Sequence, residues 1–362
     1  MNPSAVLLSS SLATLRSGFC TKLSILVPLI FFCHLSFGQR SPSIDTSGPN
    51  NSPKDNSSSY NSKLIESLTQ SGGCISAPGH IQLKKRKWIV AGVNIAGYGG
   101  SLVLLNSAWY KGYARTDFHT FNDSKEWLQV DKLGHAWGAY NAGKTSAAMW
   151  KWAGVPSKKA ALIGVLSSTA YLTGIEFMDA HSAKWGWSWS DICANITGGG
   201  LFVGQEYLWN EQRIQFKFSF HIKNYADPVL DQRANNLFGD PWYERMLKDY
   251  NAQTYWFSAN LRSFFHESNL PKWLNVSLGY GADGMYGGFE NKWTDKLGNE
   301  IDRSGIPRKR QFYLAPDIDF TKIETNKKWL RTVFTFLNAF KFPAPALMID
   351  SKGKFKAYAV YF

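Results

Sequence analysis

The sequence predicts a mainly α protein: a membrane-associated helical bundle followed by a smaller α+β C-terminal region. Three observations predict it. Trp88 to Tyr110 is an uncharged run of about 23 residues, roughly 34 Å long as a helix. Two more apolar stretches of helical length follow, from about Leu133 to Trp152 and from about Ser157 to Asp179. Beyond about Asp227 the pattern shifts to shorter segments, some alternating apolar and polar residues.

Residues 1–38 read as a signal peptide. They carry Arg16 and Lys22, no acid, and the apolar run Leu23 to Phe37, which is short for a membrane span. Ser36 and Gly38 put small residues where a signal peptidase reads, with Gln39 next. Neither Cys20 nor Cys33 sits in a lipobox. Residues 39–82 are rich in Ser, Asn, Pro and Gly and read as a disordered linker, because such a segment buries too little apolar area to offset its ordering entropy. Of the four cysteines, Cys74 and Cys193 survive removal of the leader, and an exported compartment would permit them to pair.

The formal net charge of the 362 residues is +13. Export excludes nucleic acid as the natural partner of that charge. A membrane lipid or an anionic envelope glycolipid fits it, as does a merely solvated basic surface. Aromatics make up 15% of the chain, including 15 Trp, which suits side chains with one apolar and one wet end, as at a membrane interface.

Residues 83–225 are expected to form the bundle. Lys84, Lys85, Arg86 and Lys87 precede the first apolar helix, on whose face Gly92, Ala96, Gly99 and Gly100 would let a neighbour approach. After a cleaved leader this basic group lies outside the cytoplasm, against the positive-inside rule, so the outer membrane or its inner face is favoured over the inner membrane. A fourth helix runs from near Ser190 through Gly198, Gly199 and Gly200 towards Trp209, the glycines being suited to touching backbones or a small docked group.

Polar residues recur on these apolar helices at one-face spacing. Asp131 and His135 are four apart, with Lys132 between them. Glu176 and Asp179 close the next helix. Asp191 and Asn195, after Ser190, open the last. In an apolar interior such groups must satisfy one another. The sequence therefore predicts that His135, Glu176 and Asp191 converge, as a hypothetical catalytic set, within a polar network of Asp131, Lys132, Asp179, Ser190 and Asn195. Imidazole with carboxylates could serve as a general acid/base set or hold a divalent metal, the metal being unknown. Capping is the alternative for Asp131 and for Ser188 with Asp191. Asp117, His119, Asp123 and Glu126 read as a second polar cluster or, more simply, a solvated loop. No nucleophile elbow, phosphate loop, HExxH or dinucleotide fingerprint occurs, and no cofactor is expected.

The set Asp131, Lys132, His135, Glu176, Trp189, Ser190, Asp191, Asn195 and Gly199 resembles the YfiM-like predicted periplasmic lipoproteins over roughly residues 85–225. It is more loosely similar to the VanZ-like membrane proteins. The run DFHTFNDSKEWLQVDKLGHAWGAY resembles a Bacteroidetes-type branch, which implies a likeness reaching the C-terminus. The resemblance implies a bacterial cell-envelope location on the periplasmic side and no established activity.

In residues 226–362, Asn236 to Tyr243 reads as a turn into a helix, and Gln253 to His266 and Lys327 to Phe342 as helices. Trp273 to Tyr280, Phe312 to Phe320 and Lys354 to Phe362 read as strands, with Gly279 to Gly288 as a turn. Two to four strands are too few for a membrane barrel, so a small sheet on the bundle or on a membrane is expected. The function these observations predict is a membrane-associated helical scaffold or lipid-contacting envelope protein. The rival is a metal-assisted or acid/base hydrolase of an envelope lipid or glycan, and a pore component ranks last.

Overall fold

The computed structural model describes residues 78–110, 113–295 and 297–362. The expected leader, most of the expected linker, and Cys74 lie outside the described residues; Cys193 is exposed. The first helix, α1 (Pro78–Leu105), begins inside the expected linker and continues into a π-helical turn, Asn106–Tyr110. It is followed by α2 (Val130–Trp152), α3 (Ser157–Asp179) and α4 (Trp189–Trp209).

Small residues bring these helices together. A methyl group on Gly164 of α3 would lie 2.5 Å from the Gly143 carbonyl oxygen and 2.7 Å from the Ala147 nitrogen, so α2 and α3 touch backbone to backbone. Gly198 of α4 meets the main chain of Ala136 in the same way, whereas Gly200 faces open space. α1 is attached more lightly: Asn94 accepts a hydrogen bond from Ser146 at 2.8 Å, while Trp88, Ile95 and Val103 point outward. Two helices, Gln82–Leu105 and Ser157–Asp179, are long and apolar enough to cross a membrane.

The expectation of a mainly α protein is overturned. A six-stranded antiparallel sheet dominates the C-terminal part, in the order β1 (Ile214–Phe220), β2 (Gln253–Asn260), β3 (Leu274–Asp283), β6 (Lys309–Ile318), β7 (Ala344–Asp350) and β8 (Phe355–Tyr361). Short strands β4 (Lys292–Thr294) and β5 (Glu300–Asp302) form a separate ribbon. Helices α5 (Pro228–Phe238) and α6 (Trp242–Lys248) precede β2, and α7 (Lys328–Leu337) precedes β7. The first strand lies upstream of residue 226. Gln253–Asn260 is a strand where a helix was expected, because Tyr255 and Phe257 on one face and Trp256 among Thr254, Ser258 and Asn260 on the other suit a pleated surface. The expected helix over Lys327 to Phe342 ends at Leu337, and β3 runs on into the expected glycine turn as far as Asp283.

The sheet is curled. β2 and β8 are four strand spacings apart, about 19 Å if flat. Yet Thr254 Oγ1 is 3.0 Å from the Tyr361 hydroxyl, and the Trp256 and Tyr361 rings are 6.0 Å apart. The outer edge of β1 is covered by residues 339–341: Phe218 N donates to Ala339 O and Lys341 N to Phe218 O. The concave side is buried and mixed: Trp256, Tyr313, Met348 and Tyr361 pack as an apolar cluster beside a polar one. Lys217 and Asp317 pair there at 2.9 Å with both side chains fully buried, and Ser258 donates to Asp317 at 2.6 Å. The convex side is apolar. Near β1 and β2 it packs on α2 through Phe216, Phe218 and Tyr255, and farther round it exposes Leu278, Phe312, Leu314, Leu347, Ile349 and Phe355. Contiguous exposed apolar side chains of this kind mark a contact surface.

Candidate functional site

α2 starts from an unusual turn. Trp127, Leu128 and Gln129 all have positive φ (48°, 51° and 65°). Left-handed backbone costs a non-glycine residue about 1–2 kcal/mol each. The sheet holds the turn in place: the Leu128 carbonyl accepts from the Tyr280 hydroxyl and from Arg310 Nη1, which also donates to Gln129 Oε1 at 2.6 Å. Asp131, Lys132 and His135 follow directly, so the sheet sets where α2 presents them.

Lys132 is the hub. Its ammonium lies 2.6 Å from Asp123, 3.0 Å from Asp131 and 2.6 Å from Asp191. The other oxygen of Asp123 accepts from Ser188 and Ser190, and Asp131 accepts from Tyr250 at 2.7 Å. His135 stands beside this hub, with Nε2 3.6 Å from Asp191 and Nδ1 3.6 Å from Glu176, both just beyond hydrogen-bond reach. Glu176 Oε1, His135 Nδ1 and both side-chain polar atoms of Asn195 are buried without a hydrogen-bond partner. Asp179 sits at the edge of the group and accepts from Tyr110 at 2.7 Å.

Burial would raise the Asp123 carboxyl, but Lys132, Ser188 and Ser190 outweigh it and hold the pKa at about 2. Burial likewise opposes ionisation of Asp131, and His135, Lys132 and Tyr250 overcome it. Burial disfavours the imidazolium of His135, yet Asp191, Asp131 and Glu176 raise its pKa above the usual value. Asp191 and Glu176 go the other way: burial is the main cause, pushing Asp191 up to about 6 and Glu176 up to about 8 although His135 resists both. His135 thus stands between two carboxyls, Asp191 and Glu176, that burial makes ready to share a proton with it.

Asp131, His135 and Asp191 could each turn one ligand atom to a common point, all within 4.8 Å of one another. The Lys132 ammonium already lies against Asp131 and Asp191, so a metal ion would have to displace a resident cation. The donor set fits an acid/base cluster with its own counter-ion better than a metal centre.

Asp131 and His135 also line a cavity of about 1340 Å³. One face of α2 forms its floor, through Gly134, Gly138, Asn141, Lys144, Ala148 and Lys151. From Asp131 to Lys151 that face spans about 30 Å. Aromatic residues dominate the walls, among them Trp137, Phe218, Tyr255, Phe336 and Phe340.

Capping and networking coexist at Ser188, whose hydroxyl accepts from Asp191 N at 3.0 Å and donates to Asp123 at 2.6 Å. Asp131 is not a cap. Asp117 is exposed and His119 half-buried in the preceding loop, but Asp123 is buried in the cluster, where a solvated loop was the simpler expectation. Asp123 arrives through an irregular segment, so no helical spacing announces it. Tyr250 comes from 119 positions away and left no local signal.

Fold and cluster define a class: a helical bundle with a buried lysine–carboxylate hub, backed by a curled sheet with an apolar exterior. Residues 118–205 match the model of a family described as predicted periplasmic lipoprotein (DUF2279). The matched stretch holds every hub residue of the bundle from Asp123 to Asn195 and stops before the sheet, so it carries neither the likeness to the C-terminus nor the finer YfiM-like and VanZ-like resemblance. The description supports a periplasmic envelope location and names no activity. No curated protein and no solved structure matches the chain.

Proposed function

We propose that the protein is a membrane-associated envelope protein that holds an elongated amphiphile in the α2 cavity, with the His135 cluster at one end. The observation that carries this reading is the cavity itself, about 1340 Å³, aromatic-walled and about 30 Å along its floor. That length suits an acyl chain with its headgroup. The apolar outer faces of α1 and the sheet support a place against lipid, from which such a ligand would enter.

Gly138 lines the cavity, and a side chain added there meets nothing within 4 Å. Gly138→Trp should therefore obstruct the middle of the cavity floor and leave the fold intact. In neutral detergent, saturable binding of a fluorescent fatty-acid analogue should weaken at least about tenfold, with an unchanged melting temperature. Unchanged probe affinity in this variant would sink the reading.

A second reading is favoured by one specific observation: His135 Nδ1 and Glu176 Oε1 are unpartnered, and His135 faces the cavity. A neutral His135 could take a proton from a water as that water's oxygen attacks an ester carbonyl of the bound amphiphile; the ester C–O bond then breaks and the imidazolium returns the proton to the leaving alcohol, with Asp191 beside it. Incubation with envelope lipid extract should then release a cleaved lipid, and His135→Gln should abolish that product at normal protein abundance. Identical lipid profiles with and without the protein would leave the binding reading alone.

A further inference from the structure

Along the cavity floor beyond His135 stands a lysine with no carboxylate in ion-pair range. Lys144 lies nine residues along α2, about 13 Å on. Its ammonium donates to Gln215 Oε1 at 2.6 Å and stands 5.8 Å from the Tyr140 ring. An ammonium has three donors, and this is one hydrogen bond to a neutral amide. Two other cations of the floor and wall are matched: Lys151 pairs with Glu206 at 2.7 Å and Lys322 with Glu211 at 2.9 Å. Among the described residues, no carboxylate lies within 4.0 Å of Lys144 or of Arg331, which also lines the cavity and donates Nε to the Thr325 carbonyl. The charged groups nearest in effect to Lys144 are Asp319, which favours its charge, and Lys217, which opposes it. Burial is the larger influence and lowers its pKa to about 8.

A half-buried cation with spare donors, in an aromatic cavity, is incomplete without an anion. We propose that Lys144, helped by Arg331, anchors the oxyanion of the bound molecule, so that the cavity takes an anionic amphiphile with an apolar tail. This rests on the cavity reading above and adds the class of headgroup and the residue that reads it. The polar end of the ligand then sits at Lys144, and its tail lies against the aromatic walls.

The test uses the full chain in neutral detergent and three probes: oleoyl lysophosphatidate, monoolein with the same tail and no charge, and inorganic phosphate. The wild-type protein should bind lysophosphatidate about 10–100-fold tighter than monoolein, the range expected of a charge-assisted hydrogen bond. Lys144→Gln should erase that preference and leave monoolein affinity within about twofold, and Lys144→Arg should retain it. Inorganic phosphate at millimolar concentration should not compete. Equal binding of the two lipids by the wild type, or a preference that survives Lys144→Gln, would overturn the proposal while the cavity reading stands. Competition by inorganic phosphate would assign the site to a free anion and overturn the lipid headgroup. If neither lipid binds, the cavity reading itself fails and takes this proposal with it.

Discussion

Lys132→Met is expected to cost about 3–5 kcal/mol of stability, the range for removing one partner from a buried ionic group. The ammonium is the common neighbour of three carboxylates, and its side chain is 11% exposed. Without it, Asp123, Asp131 and Asp191 face one another across a poorly solvated space with only His135 to oppose them. The sign of the pH dependence follows. In the wild type, Asp123 and Asp131 are held below their usual pKa, so their contribution is present above the unfolded value near 4 and is lost as pH falls below it, for Asp123 through about 2. In the variant the same carboxylates become easier to protonate than in the unfolded chain. Its deficit should be largest at neutral pH and shrink on acidification towards pH 4. Adding Asp123→Asn and Asp191→Asn should restore part of the loss by removing the repulsion. Thermal unfolding in detergent between pH 4 and 8 reads all three effects. A neutral-pH deficit under about 1 kcal/mol would mean that water, not Lys132, balances these acids.

Gly198→Ala carries the second large effect. Its methyl carbon would fall 2.6 Å from the Ala136 carbonyl carbon and 2.8 Å from its Cα. Main chain cannot step aside as a side-chain tip can, so α4 must move away from α2. Overpacking of this kind costs about 1–3 kcal/mol, and backbone contact places this case at the upper end. Ala136 adjoins His135, and Gly198 is on the helix that carries Asp191 and Asn195, so the separation opens the His135–Asp191 gap as well. Gly200→Ala is the control: nothing lies within 4 Å, and the change should stabilise α4 by about 0.5–1 kcal/mol. The two melting temperatures should shift in opposite directions.

The contrast between Gly198 and Gly200 shows what was legible in the sequence. The triplet announced a close approach somewhere, and only coordinates say which glycine makes it. α2, α3 and α4 were readable nearly to the residue, because apolar runs of helical length end at polar or glycine-rich joints. One-face spacing also brought out Asp131, Lys132, His135, Glu176 and Asp191, whose approach needs only helices packed side by side. The sheet was harder. Ile214 to Phe220 lies close behind a helix and was absorbed into the bundle, although its residues alternate. Gln253 to Asn260 read as an amphipathic helix because aromatic residues crowd it. Buried polar positions added to this, since Lys217, Ser258, Asn275 and Asp317 lie inside the sheet and are residue types that ordinarily mark the outside. Lys144 gave no signal at all: a lysine on a helix reads as a solvated charge until the wall opposite is known to lack an acid.

The most direct test of the account is where a photoreactive lipid attaches. Full-length protein in nanodiscs is irradiated with a lysolipid carrying a diazirine in its tail, and the labelled peptides are mapped. The account predicts saturable labelling of Trp137, Phe218, Phe336 and Phe340, lost in Gly138→Trp. Labelling confined to Trp88, Ile95, Leu278 and the other outward residues, unchanged by Gly138→Trp, would contradict it.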